Sequence, residues 1–149
     1  LFGGDVPAAV RAMLQDAQQA PREQLGALLW AAQACAPQWL ATYYLLYKCH
    51  AGRREFELAE RAARTGLAEA ARQAGLPADW RSVQPGPDFG GTGPARFWLF
   101  TLKALAFISV RAGRPDEARD LLAQIERLDP QASVGGDVVA GLLAAAQAQ

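Results

Sequence analysis

Apolar side chains recur at three- and four-residue steps along most of the chain, and prolines and glycines mark where each run starts or stops. Val6, Val10, Met13, Leu14 and Ala17 share one face of a first helix, opened by Asp5 and Pro7 and running to about Gln19. Pro21 opens a second, with Leu25, Leu28, Leu29 and Ala32 on its apolar face, and Pro37 a third, from Gln38 to about Ala51, which Gly52 ends. The fourth runs from Arg53 to about Ala74 before Gly75 and Pro77, and its many charges predict a solvated outer face. Residues 77–94, PADWRSVQPGPDFGGTGP, keep neither a helical nor a strand period, and a loop of this length is either functional or disordered. Helical spacing then returns in ARFWLFTLKALAFISVRAG, opened by Pro94 and ended by Gly113. A further helix runs from Pro115 to Leu128 and is closed by Asp129 and Pro130, and a last one covers about 137–148. With about seven helices and no alternating run, the pattern predicts an all-α fold in one domain over residues 1–149.

Residues 24–47 carry no charged side chain and are long enough to cross a bilayer. Gln24, Gln33 and Gln38 are too polar for that, and Pro37 breaks the run in two, so the expectation is a buried helical hairpin and no membrane span.

The chain has 149 residues, 51% of them hydrophobic and 20% charged, as expected of one soluble domain with its own core. Its 32 alanines favour closely packed helices, since alanine loses no side-chain entropy and lets helix axes approach. Fifteen basic and fifteen acidic side chains cancel, which removes the electrostatic case for a nucleic-acid or anionic-membrane partner. Cys35 and Cys49 are too few for a disulfide scaffold and lack ligand spacing, and they read as buried free thiols in a reducing cytoplasm. Leu1 in place of an initiator methionine reads as a fragment or a trimmed chain.

Helices joined in pairs by short turns call for a search for internal repeats. In LKALAFISVRAGRPDEARDLLAQIERLDP, small residues at Ala106 and Ala118 permit a close crossing, Gly113 permits the turn, and Pro130 stops the second helix. Together with Leu102, Leu105, Leu122 and Ile125, these positions give the segment a pattern that resembles a tetratricopeptide repeat. The same register fits two degenerate units upstream. Leu25, Leu29, Ala32 and Pro37 match in the first, and Ala59 and Ala63 in the second, whereas Met13, Tyr47, Arg54 and Ala71 depart from the pattern. The resemblance implies a tetratricopeptide-like array of antiparallel helix pairs with repeats at about 6–39, 40–73 and 99–132, an insertion at about 74–98, and a capping helix at about 137–148.

Such arrays leave a concave inner face lined by the first helix of each pair, and in the family that face binds a segment of another protein while catalysis is rare. Carried over by position, the face would hold Val10 and Leu14, then Tyr44 and Lys48, then Phe100, Lys103, Phe107 and Arg111. Both lysines of the chain are among them. Lys103 resembles the lysine of the carboxylate clamp found in some family members, but the chain has no asparagine, so a cationic, aromatic groove for an acidic or mixed peptide is expected in place of a clamp. Of the rings around the third helix, Tyr44 is assigned to the groove, and Tyr43 and Tyr47 to the core.

Candidate chemistry is sparse. FGGTGPAR precedes a helix but lacks the lysine and the serine or threonine of a P-loop, and no strand leads into it, so it reads as a flexible or partner-capping loop with Trp80, Phe89 and Arg96 as its candidate contacts. His50 next to Cys49 cannot form a nucleophile and base pair, because adjacent helical residues point apart; His50 is expected as a cation at a helix end. One histidine and two separated cysteines make no zinc site. The acidic residues, such as Glu55, Glu57, Glu60, Asp116, Glu117 and Asp120, read as solvated partners of nearby arginines. The sequence therefore predicts no catalytic residue, cofactor or metal. Its leading reading is a bacterial-type cytoplasmic adaptor or scaffold that binds a protein segment in its inner groove, with the 77–94 loop as a lid. The alternatives are a structural or regulatory subunit that associates, with itself or others, through apolar helix faces, and a helical protein binding a small molecule or anion under the glycine-rich loop.

Overall fold

The computed structural model of the chain describes residues 7–148; the helix start assigned to Asp5 and Val6 lies outside them. The described residues form seven α-helices and no strand: α1 (Ala8–Gln19), α2 (Arg22–Cys35), α3 (Leu40–Gly52), α4 (Phe56–Ala74), α5 (Pro94–Arg111), α6 (Pro115–Leu128) and α7 (Gly136–Gln147). None of these helices is long and apolar enough to cross a membrane. Pro37 divides the uncharged run into α2 and α3, and the Tyr43 hydroxyl donates to the Pro37 carbonyl oxygen at 2.5 Å, fixing the turn between them.

Each helix packs chiefly on its neighbours in sequence. The largest interfaces join α3 to α4 and α4 to α5, α7 lies across both α5 and α6, and α3 touches α5 only lightly. The alanine excess is used where helices come closest: Ala59, Ala62, Ala63, Ala70 and Ala71 form the buried face of α4. Gly66 continues that face. A Cβ there would lie 2.7 Å from Tyr43 Cβ, so α3 and α4 approach by the absence of a side chain. The core is centred on Trp98, Tyr43, Phe97, Leu46, Leu99 and Leu102, most of them from α5.

The α3–α4 and α5–α6 turns share one geometry. Arg54 (φ 60°) and Gly113 (φ 76°) occupy the left-handed region, and the next amide bonds back five residues at 2.9 Å in each, Glu55 to His50 and Arg114 to Ser109. Arg54 therefore takes a conformation that costs a residue with a Cβ about 1 kcal/mol. Its turn delays α4, which starts at Phe56 and not at Arg53 as the spacing suggested.

The 77–94 segment is ordered by the core. It makes a single 3-10 turn at Trp80–Ser82, and Trp80, Val83 and Phe89 are buried. The side-chain amide of buried Gln124 on α6 donates to the carbonyl oxygens of Trp80 at 2.9 Å and Val83 at 2.8 Å, and Arg127 adds a second bond to Val83 at 2.7 Å. Arg96 donates to the Phe89 carbonyl and to Ser133.

Three expectations are corrected by packing. Cys35 is exposed at the end of α2 and Cys49 is half-buried, so neither is a core thiol. His50 stands in the last turn of α3, at the helix end expected of it, but it is buried there instead of facing solvent. Its Nε2 accepts from the Trp30 indole N–H at 3.0 Å, and its Nδ1 donates to Glu55 Oε1 at 3.1 Å. Glu60 and Glu117 are not solvated pairs either: Glu60 accepts from Arg64 at 2.8 Å and from Arg114 at 2.6 Å, and Arg64 also meets Glu117, tying α4 to α6.

Candidate functional site

The last three turns of α5 carry a stripe of Phe100, Lys103, Ala104, Phe107, Ile108 and Arg111, one side of the helix at three- and four-residue spacing. Opposite it stands the face of α3 formed by Tyr44, Tyr47, Lys48, Ala51 and Gly52. Because α3 and α5 meet only lightly, the two faces do not close on each other. Val134 in the turn before α7, with Val138, Val139 and Leu142 on the first two turns of that helix, forms a third wall, and the cleft enclosed by the three has a volume of about 700 Å³.

All six residues that the resemblance implies for partner contact in the second and third units, Tyr44, Lys48, Phe100, Lys103, Phe107 and Arg111, line this cleft. Val10 and Leu14 do not: both are buried in the core, where α1 and α2 pack. The loop candidates Trp80, Phe89 and Arg96 are absent from the cleft as well, since the loop is spent on packing, with Phe89 against Trp98 at 5.8 Å between ring centroids. The loop is therefore no lid on this cleft. The wall from α7 was missed by the sequence reading, which gave that helix only a capping role. Its signal was present in the apolar VVAGLL run, too long for one buried face.

The rings form a connected platform. Tyr44 contacts Tyr47 at 5.7 Å and Phe100 at 5.8 Å, and Tyr47 is buried with its hydroxyl 3.4 Å from Thr101 Oγ1. Burial pushes the Tyr47 phenol well above its ordinary value, so it stays neutral. Lys48 Nζ donates to the Tyr44 hydroxyl at 3.3 Å, and Lys103 Nζ lies 4.4 Å from the Phe100 ring centroid. Half-buried Lys103 is held below the ordinary lysine range by desolvation.

The charge of the lining is one-sided. Lys48, Arg54, Lys103 and Arg111 line the cleft and no aspartate or glutamate does. Among the described residues, none of the four cations forms an ion pair. A second cleft of about 600 Å³ runs between α6 and α7, with Arg119, Glu126, Asp129 and Asp137 giving it mixed charge. Among the described residues, no group of three or more His, Cys, Asp or Glu side chains could hold a metal ion.

No family model matches the chain, and no solved structure matches it. It is similar to the uncharacterized 19.8 kDa protein in the nifW 5' region of Azotobacter chroococcum mcd 1, with 29% identity over 117 residues. The match covers 76% of this chain and 66% of that protein.

Proposed function

We propose that the protein is a tetratricopeptide-like helical array that works as an adaptor or scaffold, not as an enzyme, and binds a segment of another protein in the cleft between α3, α5 and α7. The observation that carries this reading is the lining itself: aromatic and aliphatic walls with four cations and no acid. Lys48, Arg54 and Arg111 are exposed and Lys103 is half-buried, so the lining offers a partner apolar contact and positive charge together. At the rim, Val138 is 64% exposed and Leu142 41% exposed, and only an occupant that extends beyond the cleft would cover them. That favours a protein segment over a small anion under the glycine-rich loop, which is occupied by its own packing. The shared geometry of the two turns, at equivalent positions of the repeat register, supports the array. The net charge of zero gives nucleic acid no general attraction, and the two unpaired cysteines suit a reducing cytoplasm.

The test is capture of partners from the native cell by the wild-type chain and by a variant with Lys48→Ala, Lys103→Ala and Arg111→Ala. Partner capture is expected to be lost with the melting temperature kept, because none of the three side chains makes an ion pair with the described residues. Unchanged capture of every partner by the variant overturns the reading. A subunit that associates through Val138 and Leu142 with another copy would instead keep its partners and reveal itself by mass in light scattering.

A further inference from the structure

We infer that the segment taken by the cleft is an amphipathic helix with carboxylates seven or eight residues apart, laid along α5; this rests on the segment-binding reading above and adds the conformation and the charge register of the partner. Conformation follows from the polar groups of the lining. Lys48, Arg54, Lys103 and Arg111 only donate hydrogen bonds, and the Tyr44 hydroxyl already accepts one from Lys48. An extended segment would bring backbone N–H groups into the cleft and find almost no acceptor, nor does any strand edge exist among the described residues to pair with them. A helix satisfies its own backbone and presents only side chains. The walls suit that shape. Ala51, Gly52, Ala104 and Gly135 add no long side chains to the lining and so leave room for a helix, and α5 already packs against the helices α4, α6 and α7.

Register follows from α5. Its stripe from Phe100 to Arg111 spans about 16 Å at a rise of 1.5 Å per residue, the length of three helical turns. Lys103 and Arg111 stand eight residues apart at its two cationic points, about 12 Å along the axis, with Ala104, Phe107 and Ile108 between them. A helix lying alongside meets both cations when it carries acids at one position and seven or eight residues on, with apolar residues three and four after the first.

Synthetic peptides of fourteen residues, dye-labelled, test this by fluorescence anisotropy with the full chain. The parent peptide carries two glutamates eight residues apart and leucines three and four after the first. One comparator replaces both glutamates with glutamine, one shuffles the same composition out of helical register, and one places proline at the centre. The parent is expected to bind about tenfold or more tightly than any comparator, and to lose that advantage with a Lys103→Ala, Arg111→Ala double variant whose melting temperature is unchanged. Equal binding of the shuffled or proline peptide overturns the helical occupant while leaving segment binding intact, provided the double variant still weakens both. Absence of binding by every peptide, or a concentration-dependent dimer that the double variant abolishes, overturns the inference, the latter by assigning the cleft to a second copy of the chain.

Discussion

One methyl group at Gly66 measures how closely α3 and α4 approach. An alanine Cβ there would sit 2.7 Å from Tyr43 Cβ and 2.9 Å from Tyr43 Cγ, both close to the backbone and unable to swing away. The helix-propensity gain of about 1 kcal/mol is outweighed by forcing the helices apart, which costs about 1–3 kcal/mol. Gly66→Ala is therefore expected to lower the unfolding free energy by up to about 2 kcal/mol in urea titration. Gly141→Ala on α7 is its contrast: nothing lies within 4 Å of the added Cβ, so that variant should gain about 0.5–1 kcal/mol. Stabilisation by both would show that the α3–α4 contact yields easily. His50 makes the same point with polar chemistry. The Trp30 indole N–H fixes which imidazole nitrogen keeps its lone pair, a relation between residues twenty apart that the dipeptide Cys49–His50 does not reveal.

Among the elements, the 77–94 segment departs most from what its composition suggests. Prolines and glycines deny it regular structure, yet its apolar residues Trp80, Val83 and Phe89 are held in the core. Gln124 does much of the holding, since one side-chain amide satisfies two loop carbonyls that have left water. Gln124→Ala is expected to destabilise the chain by about 2 kcal/mol. Amide exchange should rise at residues 77–93 well before α3 or α4 responds, whereas uniform exchange along the chain would mean that the loop is held by its rings alone. The element α7 departs in the opposite direction: expected only to cap the array, it supplies the third wall of the cleft and leaves Val138 and Leu142 at the rim.

At the scale of the whole molecule, ion pairs join α4 to α6 while the cleft between α3, α5 and α7 gathers cations. Glu60 belongs to these pairs, where burial raises its carboxyl but the hydrogen bonds and charges of Arg64 and Arg114 outweigh this and hold it below the ordinary value of 4.5. A carboxylate depressed in the folded state stabilises fully above its unfolded value and loses that contribution as pH falls through the folded one. Acid should thus weaken the wild type from about pH 4.5 downward, and Glu60→Gln should flatten that fall. With both guanidiniums 39% exposed to screening water, the variant should be less stable at pH 7 by only about 1 kcal/mol; urea midpoints at pH 7 and pH 3 for both chains check the sign. The four cations of the cleft have no ion-pair partner among the described residues, and helical spacing alone puts Lys48 on one side of α3 with Tyr44, and Lys103 on one side of α5 with Phe100 and Phe107. What the sequence by itself determined is therefore what depends on local spacing: the seven helices, the proline and glycine punctuation, the use of alanine for close crossings, and the side of α3 and α5 on which Tyr44, Lys48, Phe100, Lys103, Phe107 and Arg111 stand. The tertiary structure alone decided which faces meet. It buried Val10 and Leu14, drew Trp80 and Phe89 into the core, left Cys35 outside, joined Glu60 to two arginines and brought α7 to the cleft, because burial and pairing between distant segments depend on the packing of whole helices and leave no fixed spacing along the chain.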